Sequence, residues 1–377
     1  MENRKKLYPL KFRPICLDHP WGEEKIALAD LGVEDSVVAE GWLEENSIGE
    51  IMETYLERVT GESVYGYYGR QFPVAVKFLD IKGSMPVHVH PDDETAGQRY
   101  DSLGGKEMWY VAEAGDDAVI YLGFNHDVSA RELYDSCMDG TVKSIMNVIR
   151  PKKGDVLEIR PGMVHSAEGH LKILAVKEAS ELPFRLHDSY ENDRESVGEH
   201  LAEAMDFIIY DAYSENQAVV RRAMNAEDTG IAVKLMESPE FDASLMNLKE
   251  AVHSVSEHET GYILYIGMEG EASVQVPVTA PDGKKGMEEY RLRKGDAMLI
   301  PAEVTDFFIV PTDRDTVLME VIAGKRDETD GYINPDTEPF LEGEDYEGLE
   351  DEETEEKDQA EAAGIDGPQG RHNMKWS

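Results

Sequence analysis

The sequence predicts a mainly β fold with inserted helices, organised as two related β-barrels. Short apolar runs in the strand period, divided by turn residues, fill much of residues 72–177 and 230–322. A Gly-Asp turn leading into a buried strand occurs twice: Lys153-Gly154-Asp155-Val156-Leu157-Glu158-Ile159 and Lys294-Gly295-Asp296-Ala297-Met298-Leu299-Ile300 share the pattern K-G-D-x-[LM]-x-I. Each copy has a proline just after it, Pro161 and Pro301. A recurring supersecondary signature of this kind points to duplicated small barrels.

The elements follow in order. Residues 1–70 read as a leading segment with short strands at 5–14 and 40–47 and a helix near 49–58. Residues 72–79 (FPVAVKFL) form a dense apolar strand, and 85–90 (MPVHVH) alternate with period two. Further strands are expected at 107–112 and 117–121. Residues 127–149 switch to helix, with Ser129 and Glu132 spaced as a capping box and a second short helix from about Thr141. Strands resume at 154–159 and 172–177. A helical segment spans 191–229, its clearest part near 196–225 with Leu201, Met205, Ile208, Ile209 and Tyr213 on one stripe. The second β-domain occupies 230–330, and 331–377 is an acidic tail expected to be disordered.

Composition narrows the class. The chain has 377 residues, 78 Asp+Glu against 37 Lys+Arg, and a formal charge of −41. Residues 342–361 hold twelve acids and one base, so the remaining chain is still near −30. Such a surface excludes routine nucleic-acid binding and disfavours an anionic membrane. No apolar run of about 18 residues occurs, and the N-terminus has no signal-peptide core. Two cysteines, Cys16 and Cys137, supply neither a disulfide framework nor a thiolate cluster. The expectation is a cytoplasmic protein, monomeric or homodimeric, acting on a small molecule.

One constellation carries chemistry. His88 and His90 are two apart in an extended run, so both imidazoles leave one face of a strand. Glu107 opens the next clear strand, and His165 closes the run GDVLEIRPGMVH. Three imidazoles and one carboxylate form an N3O set suited to Zn, Fe, Mn or Ni, with room for substrate. The second barrel lacks this set: His253 and His258 are not in H-x-H spacing, and Asp306 takes the slot that matches His165.

At these residues the sequence resembles the cupin superfamily and, within it, the short bacterial type I phosphomannose isomerases. The likeness runs through Phe72–Asp80, Val87–Glu94, Lys106–Tyr110, Gly154–His165 and Phe184–Asp188, and more weakly through Gly295–Phe307. It covers roughly residues 5–325. The resemblance implies two cupin-like jelly-roll barrels, the first holding one divalent ion, zinc by preference, on His88, His90, Glu107 and His165. It implies an enediolate isomerisation between mannose 6-phosphate and fructose 6-phosphate, with Arg185 beside the sugar.

This chain departs from that family in several places. The family usually has Gln where His88 stands and Ser where Pro86 stands. Its lysine lies two residues before the glutamate, whereas Lys106 adjoins Glu107 and should face the other way. The segment from Val176 to Arg185 reads as about two residues short, without the usual Gln pair and with Ser180 and Glu181 nearby. Two readings therefore stand beside the first: isomerisation of an unphosphorylated sugar, and a catalytically silent sugar-binding cupin. An Fe(II) oxygenase ranks last. Trp109 and Tyr110 read as core, His170 and His187 as loop or strand residues, Asp92–Glu94 as a turn cap and Cys137 as inert.

Overall fold

Among the described residues, four antiparallel sheets organise the fold. The structure is a computed structural model and describes residues 5–32, 35–180, 182–190, 194–213, 219–220, 232–256, 261–280 and 283–325, with backbone alone at 194–197, 199, 219 and 220. The expected tail, 331–377, lies outside the described residues.

A seven-stranded sheet contains Val156–Ile159, Glu107–Ala114, Leu171–Glu178 and Val74–Ile81 as successive neighbours, and a five-stranded sheet faces it. Between them lies a core of Leu79, Ile81, Trp109, Ile120, Leu157 and Ile173. A second seven-stranded sheet repeats the order with Ala297–Ile300, Ile263–Glu269, Thr316–Ala323 and Phe241–Leu248, and a four-stranded sheet faces that one. Their core contains Tyr265, Val274, Met298, Phe307 and Leu318.

The two larger sheets also share a core, with Val76, Met108, Leu174 and Val176 against Leu264, Ile266, Leu299 and Met319. Alternation along each strand supplies both faces. In Leu171–Glu178 the residues Ile173 and Ala175 turn to one core, and Leu174 and Val176 turn to the other. Strands buried on both faces read as continuous apolar runs, which is why FPVAVKFL carries little alternation.

The duplication is visible in the turns. Gly154 and Gly295 have φ of +89° and +81°, conformations that favour glycine. Their N–H groups donate to Val111 and Gly267 carbonyls, each at 2.8 Å. Asp155 and Asp296 accept from the Lys152 and Arg293 N–H groups at 2.9 and 3.3 Å.

Several expectations are corrected. The ladders do not close: among the described residues each half is a two-sheet sandwich with open edges, not a hydrogen-bonded barrel. Residues 40–47 are turns, and the short strand lies just before them at Val37–Val38. Residues 146–149 form a strand beside Val119–Phe124 instead of continuing the helical insertion. That insertion comprises Ala130–Met138, capped by Ser129, and a 3-10 turn at Val142–Ile145.

The later helix spans Arg194–Ala204 and stops there, because Ile208 and neighbouring apolar groups pack as loop side chains on the helical core. The remainder of its expected range, to Asn225, includes residues outside those described. Among the described residues no helix is long and apolar enough to cross a membrane.

Candidate metal centre

Strand period places the histidines. In Val87–Val89 the valines, both fully buried, face the helices that cover the smaller sheet. His88 and the following His90 therefore turn inward, toward the sheet that carries Glu107 and Trp109. The register sets His165 directly opposite His88 on one side and Arg185 opposite it on the other. Phe184 and Leu186 pack on the helical side, so Arg185 shares the His88 face, where it is exposed.

The predicted ligands converge. The ring centroids of His88 and His165 are 4.0 Å apart, and His90 lies 5.3 and 5.4 Å from them. One nitrogen from each ring falls within 4.8 Å of the others. Glu107 Oε2 is 3.8 Å from His90 Nε2 and 3.7 Å from His165 Nε2.

Backbone carbonyls fix the tautomers. Nδ1 of His88 faces Pro86 O at 2.9 Å, Nδ1 of His165 faces Met163 O at 2.9 Å, and Nδ1 of His90 faces Leu182 O at 3.2 Å. A carbonyl only accepts, so each Nδ1 carries the proton and each Nε2 keeps a lone pair. Nε2 of His165 is buried without a hydrogen-bond partner. A buried, unsatisfied acceptor beside two more imidazole lone pairs and a carboxylate is what a divalent cation satisfies.

Electrostatics agree with that assignment. Burial is the main cause that pushes His88 down to about 3. Burial and the Lys177 charge hold His90 well below the usual imidazole range. Both rings are neutral at pH 7, the form that binds metal. Burial raises the Glu107 pKa, and the Lys177 charge and the Trp109 N–H oppose it.

Three features escaped the sequence reading. Trp109 donates its indole N–H to Glu107 Oε1 at 2.6 Å, so this core residue also orients a candidate ligand. Lys177 lies opposite Glu107 in the ladder and is 6% exposed. Its parity with Ile173 and Ala175 turns it toward the same interior, and its charge acts on His88, His90 and Glu107. Alternation counted from the Glu107 partner could have found it. Gly105 backs His90, and a Cβ there would fall 2.0 Å from His90 Cβ.

Other residues do not join the cluster. Lys106 pairs with Glu158. His170 pairs with Asp117 at 2.8 Å on the surface, and burial lowers the half-buried His187. Asp92 caps a helix, Asp93–Tyr100, that the sequence reading had as a turn. Cys137 is buried in the helical core, which pushes its thiol up to about 12. At the equivalent place in the second sandwich, Ile263 stands where Glu107 would be. Asp306 there pairs with His253 at 2.8 Å. His258 lies outside the described residues.

No family model matches the chain. Among curated relatives, it is 26% identical over 321 residues to mannose-6-phosphate isomerase ManA of Bacillus subtilis, covering 79% of this chain and 95% of that protein. Against mannose-6-phosphate isomerase of Streptococcus mutans the identity is 25% over 233 residues, 61% of this chain and 68% of that one. Among solved structures, mannose 6-phosphate isomerase from Bacillus subtilis superposes with a TM-score of 0.67 at 21% identity, covering 83% of this chain and 99% of that one. The apo form of mannose 6-phosphate isomerase from Salmonella typhimurium gives 0.62 at 11% identity, with 84% and 99% covered. The structural likeness establishes the fold, and the sequence relatives carry one activity name between them.

Proposed function

We propose that this chain is a metal-dependent aldose–ketose isomerase that interconverts mannose 6-phosphate and fructose 6-phosphate in the cytoplasm. The observation that carries the reading is the cluster of half-buried His88 with buried His90, His165 and Glu107, on a chain whose curated relatives are named for that reaction. The two sandwiches are taken as cupin-like units, of which the first keeps the ligands. Zinc is the proposed ion, from the N3O donor set.

Isomerisation moves the carbonyl between C1 and C2 through an enediolate: a proton leaves C2 and one is delivered to C1, while a hydroxyl proton passes from O2 to O1. When bound, the ion supplies a Lewis acid that stabilises negative charge on the substrate oxygens. The chain's own residues prepare the rest. Three backbone carbonyls hold the imidazoles in one tautomer. Trp109 fixes the carboxylate. Lys177 sets a positive charge beside the cluster, where it lowers the cost of charge that develops during proton transfer.

The chain is strongly acidic, so a phosphate ester needs a local basic exception. Arg185 provides that exception opposite His88, while the buried Lys177 acts on the cluster itself. Lys77 lies on the same interior face but is paired with Glu24 at 2.9 Å. Arg185 favours the phosphorylated sugar over a free one, and it answers the loss of the family's serine at Pro86.

The test is a purified, zinc-loaded protein assayed with mannose 6-phosphate, fructose 6-phosphate and free mannose. Conversion of the phosphate esters, abolished in His165→Ala with loss of bound metal, is the expected result. Faster turnover of free mannose would transfer the assignment to an unphosphorylated substrate. No turnover with full metal occupancy would leave a binding protein.

A further inference from the structure

The two K-G-D turns are not used by the metal centre, yet they meet. Lys153 and Lys294 both reach Glu269, at 3.5 and 2.8 Å. Beside them a cavity of about 490 Å³ opens at the margin of the core shared by the two seven-stranded sheets. Its walls include Phe78, Tyr110, Leu245, Met268 and Val317, all part of that core or packed on it. The size falls within the range of small-molecule sites, and protein interiors seldom leave so much apolar space unfilled.

The charge on its wall is specific. Of the four lysines that line it, Lys153 and Lys294 hold Glu269, and Lys172 holds Glu113 at 3.0 Å. Lys25 differs. Its Nζ donates to the Gly295 carbonyl at 2.5 Å and lies 5.6 Å from the centre of the Phe78 ring. Among the described residues no carboxylate pairs with it.

Glu23 and Asp80 also line the cavity, but both are engaged by Lys82, at 3.1 and 3.4 Å. In a chain with about two acids per base, a part-buried ammonium without a carboxylate partner is uncommon. At the wall of an apolar cavity it selects an anionic head on an apolar body.

We propose that this cavity binds an amphipathic carboxylate, its aliphatic body against Phe78, Met268 and Val317 and its carboxylate on Lys25. The ligand would touch both sandwiches, since Lys25 and Phe78 come from one and Met268 and Val317 from the other.

Isothermal titration of the full, metal-loaded chain with octanoate and with 1-octanol tests this. Octanoate is expected to saturate with one molecule per chain, and 1-octanol to bind at least about tenfold more weakly, the worth of one charged hydrogen bond. Lys25→Met should bring octanoate down to the level of 1-octanol. Met268→Trp, which fills the cavity, should abolish binding of both. Absence of saturable octanoate binding would overturn the proposal. So would octanoate affinity that Lys25→Met leaves unchanged, or that survives Met268→Trp.

Discussion

Trp109 and Glu107 lie two residues apart on one strand, and the indole N–H of the first holds Oε1 of the second at 2.6 Å. That contact leaves Oε2 directed at His90 and His165. Partners of this kind orient a ligand and tune its basicity, and their loss typically weakens metal binding by about 10–100-fold. Trp109→Phe keeps most of the packing and removes the donor. Chelator competition should show weaker zinc binding in that range, while activity at saturating zinc falls far less. An unaltered zinc affinity would reduce Trp109 to a packing residue.

Gly105 gives a steric counterpart. A methyl group there would overlap His90 Cβ at 2.0 Å, and the Gly105 N–H is tied to the Pro91 carbonyl at 2.9 Å. Neither backbone can withdraw easily, so Gly105→Ala should displace His90 and leave the purified protein with well under one zinc per chain. Gly66→Ala is the contrast. Gly66 sits within the helix Glu62–Tyr68 with open space around its Cα, and the added Cβ should stabilise the fold by about 0.5–1 kcal/mol. Metal analysis and urea unfolding of the pair should give opposite signs.

The convergence of His88 and His90 was legible because H-x-H on a strand puts both rings on one face and a valine precedes each. The K-G-D repeat likewise announced two halves with one topology. Closure of the barrels was not legible, because hydrogen bonding at sheet edges depends on register between distant segments. Nor were Lys177 and Gly105: one acts across a ladder from Glu107, and the other acts by having no side chain. The 196–225 stripe misled because Met205 and Ile208, past Ala204, reach the same core from irregular backbone, while Ile209 is exposed and Tyr213 packs on the core between the sheets. Periodicity reports which groups are buried, but other backbones can bury them as well.

Arg185 and Lys177 should separate in kinetics. Arg185 stands opposite His88 and is exposed, as a group that meets the charged end of a substrate would be. Arg185→Ala is expected to raise KM for mannose 6-phosphate about tenfold or more, with little effect on any turnover of free mannose. Lys177 is buried against Glu107, so Lys177→Met should lower kcat by roughly 10²–10³-fold at nearly constant KM, the pattern of a cation that acts on developing charge. Equal losses in KM from both variants would place both on the phosphate.

Asp30 predicts a pH dependence of stability that is independent of the metal. It is 8% exposed and accepts the Phe72 N–H at 2.7 Å. Burial, opposed in part by that hydrogen bond and reinforced by the charges of Asp35 and Glu53, raises its pKa from 3.8 to about 6. The folded protein thus holds this proton more tightly than the unfolded chain does. Its contribution is full below about pH 4 and is lost as pH rises through 6, amounting to about 2–3 kcal/mol. Asp30→Asn retains an acceptor for Phe72 and removes the charge. Relative to wild type, the variant should gain stability progressively between pH 4 and 6 and keep the gain at pH 7. Urea midpoints for the two proteins at pH 4, 5, 6 and 7 check this; a difference that stays constant across that series would show that Asp30 remains ionised in the folded protein throughout.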